Sequence, residues 1–176
     1  MHGRIRSIIA TSVTAALLVG STAATAGPSG AIFTTNADGS WVNGNVYSSA
    51  EDVYLNGGPR ANENCSAAGL PDGKYIFQVT DPSGKVPLSN DPPPEERVFS
   101  VAGGVISPDI LEYIGPHVRG YGRCGGLTVR LWPFVLTPGG EYKVWVTPLD
   151  MYNSFGFIPS YSKTDNFKVQ PPGGGD

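Results

Sequence analysis

The sequence predicts an all-β domain, an antiparallel β-sandwich of immunoglobulin-like type with about seven or eight strands. Three observations lead there. Short runs of alternating apolar and polar residues recur along the chain. Glycine and proline, 24 and 16 of 176 residues, separate those runs with turn chemistry. Helical periodicity is almost absent, and many short strands divided by turns bury their apolar faces best against a second sheet.

The N-terminus stands apart from this pattern. Met1 to Ser7 is basic, with Arg4 and Arg6, and an apolar run follows from Ile8 to about Ala24. It closes on Ala24-Thr25-Ala26, small residues where a signal peptidase requires them. Thr11, Ser12, Thr14, Gly20, Ser21 and Thr22 interrupt the run, which falls short of the ~20 mainly apolar residues of a membrane-spanning helix. Residues 1–26 are therefore expected to be a signal peptide cleaved after Ala26. The remainder divides into a β-sandwich domain over 27–170 and a flexible Pro/Gly tail over 171–176. Cleavage leaves 10 of the 12 basic residues against 15 acidic ones, so the formal charge moves from −3 to −5. An acidic domain with no Lys/Arg cluster argues against a nucleic-acid or anionic-membrane partner.

The strands follow in order. Ile32-Phe33-Thr34-Thr35, the turn signal Asn36-Ala37-Asp38-Gly39, and Trp41 to Tyr47 read as a hairpin. Glu51 to Leu55 is a third run, stopped by Asn56-Gly57-Gly58-Pro59, and Arg60 to Gly69 is a loop. Gly73-Lys74-Tyr75-Ile76-Phe77-Gln78-Val79-Thr80 is then echoed by Gly140-Glu141-Tyr142-Lys143-Val144-Trp145-Val146-Thr147. Alternation places Tyr75, Phe77 and Val79 on one face, and likewise Tyr142, Val144 and Val146. Gln78, Thr80, Lys143 and Thr147 face away, and Trp145 shares their side. Arg97 to Val101 and Leu127 to Leu131 are further strands, the second ended or bent by Pro133. Ser107 to Ile114 carries an N-cap serine and a first-turn proline, enough for one or two helical turns. Phe167 and Val169 belong to a short last strand.

Cys65 and Cys124 are the two cysteines of the chain. In an oxidising compartment such a pair reads as a disulfide, here closing a loop of about 60 residues. It would pin the glycine-rich stretch Gly115 to Gly126. The same pairing discounts the sequon Asn64-Cys65-Ser66 as a glycosylation site.

The run Leu70-Pro71-Asp72-Gly73-Lys74-Tyr75, continuing to Lys85, resembles the Leu-Pro-x-Gly-x-Tyr hairpins of Cna-B-type, prealbumin-like bacterial surface domains. A longer pattern, from Ala31 to Thr35 through Glu51 to Pro59 and on to Lys163 to Val169, resembles a group of secreted bacterial proteins of unassigned function. The resemblance spans most of 31–170 and implies a β-sandwich used as a stalk, repeat or surface module. Two departures matter. The chain has no lysine before Lys74, so the internal Lys–Asn crosslink of many Cna-B modules is not expected. It has no Leu-Pro-x-Thr-Gly sorting signal, which favours free secretion, or cell-surface association without a covalent wall anchor.

Candidate chemistry is sparse. His117, near Arg119, has no Gly-x-Ser-x-Gly elbow to serve and reads as a solvated loop histidine. One histidine and a cystine do not make a zinc site. Asn36-Ala37-Asp38-Gly39-Ser40 resembles half a calcium loop, but the distal glutamate is missing and a hairpin turn explains it. Glu95-Glu96, after Asp91 and three prolines, reads as a solvated loop. Neither cofactor nor metal nor catalysis is expected, and the protein should be a monomer that meets an extracellular protein or glycan. The aromatic set is the exception. Trp132 and Trp145, with Tyr152 and Tyr161, would form a sugar- or partner-binding platform if exposed together. The favoured alternative has the loop Met151 to Tyr161, with Phe155 and Phe157, fold over the tryptophans as a second core. Function thus reads as a non-catalytic extracellular module, with a carbohydrate-binding module as the alternative and a small secreted hydrolase last.

Overall fold

The computed structural model describes residues 28–89, 94–107 and 119–170. The signal peptide with its cleavage after Ala26, residues 108–114 of the expected helical turn, His117, and the tail 171–176 lie outside the described residues. The described chain is mostly β, in two sheets packed face to face. One sheet has four strands in the order β1 (Ala31–Thr35), β3 (Tyr54–Gly58), β8 (Leu127–Arg130), β7 (Arg119–Tyr121). The other has six, in the order β2 (Val46–Tyr47), β10 (Lys163–Val169), β9 (Glu141–Pro148), β4 (Gly73–Thr80), β5 (Val98–Ala102), β6 (Val105–Ile106).

The two echoing segments are neighbours at the centre of the larger sheet. They run antiparallel, with Phe77 opposite Val146 and Val79 opposite Val144. Tyr75, Phe77, Val79, Tyr142, Val144 and Val146 all turn inward, as their alternation requires, and are joined by Phe99 and Phe167. Leu55, Val129 and Leu131 close the core from the other side. Tyr142 stacks on Phe167 at 5.2 Å, and Phe134 meets both rings edge-on.

Several expectations are corrected. Ten strands appear among the described residues: β6 and β7, of two and three residues, are edge pieces too short to announce themselves by alternation, and β2 keeps only Val46–Tyr47 of the expected run Trp41 to Tyr47. The sheets are not wholly antiparallel, since β2 pairs with β10 in parallel. The hairpin between Ile32–Thr35 and Trp41–Tyr47 does not form. Instead β1 pairs with β3, Ala31 opposite Gly58 through Thr35 opposite Tyr54. The intervening chain is turned by Asn43 and Asn45, both at positive φ, and crosses to the other sheet. Asn56-Gly57-Gly58 does not stop the third strand but completes it. A Cβ on Gly57 would lie 2.7 Å from Leu70 Cδ1, so these glycines admit a close approach rather than a turn.

Residues Leu149–Phe155 form a helix, α1, where a loop was expected. It springs directly from the end of β9 after Pro148, carries Asp150 in its first turn, and ends at Gly156 with φ of 72°. Its seven residues show too little periodicity to be recognised in isolation.

Cys65 and Cys124 are joined, with Cα atoms 5.2 Å apart. The same junction is reinforced by Arg123, whose guanidinium donates to the carbonyls of Arg60 and Glu63. Loop 60–69 is thereby fastened to the start of β8.

Candidate functional site

The register of β4 against β9 sets up a concave feature at one end of the larger sheet. Tyr75 lies opposite Pro148, so the beginning of β4 and the exit of β9 into α1 share one end of the sheet. Asp72, just before β4, and Asp150, in the first turn of α1, line the same rim. A cavity of about 600 Å3 opens there, walled by Pro71, Tyr75, Pro148, Leu149, Met151 and Tyr161, with Asp72, Lys74, Asp150 and Asn153 as its polar lining. A second cavity of about 420 Å3 adjoins it through Lys74, Leu149 and Asn153, and is walled by Ile76, Val98 and Tyr152 with Glu95. Together they make a trough along α1. Its composition, apolar walls with a few polar groups, is that of a ligand site.

The electrostatics inside are consistent with a partly dry wall. Tyr75 is buried, and its hydroxyl donates to the Pro71 carbonyl at 2.8 Å. Burial, with the carboxylates of Asp150 and then Asp72 nearby, pushes that hydroxyl up to about 12. Each carboxylate is held by the backbone through one oxygen. Asp72 Oδ1 accepts from the Gly104 amide at 3.2 Å, and Asp150 Oδ1 from the Met151 amide at 2.8 Å. Below the second cavity Arg97 is buried and donates to the Ser89 carbonyl. Burial lowers its affinity for its proton, against the opposing pull of Tyr152 and Glu95.

The structure divides the expected aromatic platform. Trp145 is only 8% exposed, on the outer face of the larger sheet. Its Nε1 donates to Thr80 Oγ1 at 3.1 Å, and Lys143 Nζ lies 5.8 Å from its ring centroid. The cover over it is the turn at Gly84, not residues 151–161: a Cβ on Gly84 would sit 2.6 Å from Trp145 Cζ2. Trp132 packs instead against the inter-sheet core, edge-on to Phe134. The two tryptophans therefore do not make one surface. Tyr161 lines the larger cavity and Tyr152 the smaller, each half-buried, with Phe157 against Tyr152 at 4.8 Å and Phe155 against Tyr161 at 5.2 Å.

The remaining candidates fall out singly. Asp38 accepts from the Ser40 amide and hydroxyl at 3.0 and 2.6 Å, and Asn36 Oδ1 from the Trp41 amide. These bonds close a turn on itself and hold the Asp38 carboxyl below its usual range. Among the described residues no group of three His, Cys, Asp or Glu side chains is placed to hold a metal. Glu95 and Glu96 sit in a short 3-10 turn, Pro94–Arg97, rather than in an extended loop. No helix among the described residues is long and apolar enough to cross a membrane.

Sequence reasoning missed Asp72, Lys74, Leu149, Asp150 and Asn153 as a group. The signal was present in the echo itself: two equal strands paired antiparallel bring the start of one beside the end of the other. The chain matches no protein-family model, no curated protein and no solved structure.

Proposed function

We propose that the protein is a secreted, non-catalytic β-sandwich module of immunoglobulin-like, prealbumin-like type, serving extracellular interaction or surface structure. The observation that carries the reading is the trough along α1, a preformed concavity with aromatic and apolar walls at one end of a rigid sheet. Export is supported by the leader-like residues 1–26 and by the Cys65–Cys124 disulfide, since such bonds persist in oxidising compartments. The purified protein is expected to leave a panel of ester, glycoside and peptide substrates unchanged. Turnover that disappears on His117→Ala, Asp72→Asn or Asp150→Asn would overturn the reading.

A second reading, carbohydrate binding, is favoured by one observation: Tyr152 and Tyr161 both line the trough and remain half-exposed. Retention on a glycan array that is lost on Tyr161→Ala would select it.

A further inference from the structure

We propose that the cleft beside Trp41 is a binding site for a neutral sugar ring, one unit of a glycan. The cleft, of about 410 Å3, opens where the end of β1 and the start of β3 in the smaller sheet meet β2, the edge of the larger one. Asn36, Asp38, Trp41, Ser48, Asp52 and Tyr54 line it. It shares no residue with the trough and lies at the other end of the larger sheet. There β2 runs beside Lys168, which pairs with Glu141 at the start of β9, whereas the trough sits where β9 ends. The inference goes beyond the interaction-module reading and does not depend on the trough.

Three observations converge on it. First, Trp41 is the exposed one of the three tryptophans, at 49%. It is also held in place: its amide donates to Asn36 Oδ1 at 2.9 Å, and its ring rests on Tyr47 at 5.4 Å. The backbone at Gly44 backs it closely, since a Cβ there would lie 3.1 Å from Trp41 Cδ2. A fixed indole presents a negative π face to the polarised C–H hydrogens of a pyranose, and little freedom is lost when they meet. Second, Tyr54 is only 8% exposed and fixed in β3 opposite Thr35, yet its hydroxyl has no hydrogen-bond partner among the described residues. That hydroxyl is not enclosed by protein either, so it meets solvent at the cleft that the residue lines. Buried tyrosines ordinarily find a partner for this group, and a ligand hydroxyl supplies the one missing here. Third, the side chains of Ser48 and Asp52 also make no hydrogen bond among the described residues, and the lining holds no lysine or arginine.

A neutral sugar answers all three. Its C–H face covers the indole, while its hydroxyls donate to the carboxylates of Asp38 and Asp52 and bond Tyr54 and Ser48. An acidic sugar meets two like charges with no cation to offset them. An apolar peptide would strip water from Asp52, Ser48 and the Tyr54 hydroxyl and replace nothing. A quaternary ammonium would answer the carboxylates but brings no hydrogen bond to Tyr54 or Ser48.

The test is an NMR titration of the purified protein with four probes: cellotetraose and chitotetraose as neutral sugars, tetragalacturonate as an acidic one, and tetramethylammonium. At least one neutral sugar is expected to shift the Trp41 indole N–H together with the amides of Ser48 and Asp52. The acidic sugar and the cation should leave them in place. Tyr54→Phe removes only the unpartnered hydroxyl, so the melting temperature should hold while sugar binding weakens roughly three- to tenfold. Trp41→Ala should weaken it at least about tenfold. No shift with either neutral sugar, equal shifts with tetragalacturonate or tetramethylammonium, or undiminished binding in either variant would overturn the site. Shifts at Met151 and Asn153 in place of Trp41 would overturn it too, and would put the sugar in the trough. None of these outcomes removes the interaction module, which only turnover of substrate does.

Discussion

The Tyr75 ring closes the inner wall of the trough, and its hydroxyl reaches the Pro71 carbonyl. Because burial and two carboxylates raise it to about 12 from 10.0, the folded state holds this proton more tightly than the unfolded chain does. The associated stability is complete below pH 10 and is lost as pH rises from there toward 12. Tyr75→Phe should therefore flatten the alkaline limb of the stability profile, measured by urea unfolding from neutral to alkaline pH. At neutral pH it should cost only about 1 kcal/mol, the value of one hydrogen bond. Asp150→Asn should bring the Tyr75 absorbance titration back toward 10, since it removes a nearby negative charge. Tyr47 titrates in the same high range, about 12, chiefly through burial, and would mask the effect unless replaced as well.

At the scale of elements, the turn after β4 has more influence than its six residues suggest. Asp81 Oδ1 accepts from the amides of Lys85 and Val86, and Oδ2 from the amide and hydroxyl of Ser83. These bonds hold the Asp81 carboxyl down to about 2 and set Gly84, at φ of 79°, flat against Trp145. Gly84→Val should lift the turn, because its side chain has no space and its backbone conformation disfavours branching. The expected readout is a red shift of Trp145 emission, with other tryptophans replaced to isolate it. Trp145→Ala should cost about 3 kcal/mol in unfolding free energy, as the loss of a large buried ring. An unchanged spectrum in the valine variant would show that the turn does not cover the indole. The element was half legible: Pro82 and Gly84 mark a turn in sequence, but nothing local says that a turn folds back onto its own sheet.

For the molecule as a whole, the disulfide ties loop 60–69 of one region to the entry of β8 in another, across 59 residues of sequence. The chain-entropy model values such a closure at about 4 kcal/mol. Cys65→Ser with Cys124→Ser should therefore lower the denaturation midpoint by an amount equivalent to roughly 2–4 kcal/mol. Arg123 should keep the junction partly formed, through its bonds to Arg60 and Glu63. Thiol titration of the denatured, unreduced protein should find no free thiol; two would refute the bond.

What the sequence determined by itself is the local chemistry: two half-matched strands, their inward faces, the turns beside them, and the pairing of two cysteines. Period-two alternation and turn residues are written in neighbouring positions, so they survive without knowledge of the fold. Pairing partners were decided only by the tertiary structure. β1 joins β3 rather than the next segment, β2 runs parallel to β10, and Trp145 and Trp132 end on different sides of a sheet. Each of these depends on contacts between residues far apart in the chain, whose energies no local pattern contains. The trough is the same kind of object: Asp72 and Asp150 are 78 positions apart, and only the antiparallel pairing of β4 and β9, with α1 following, brings them to one rim.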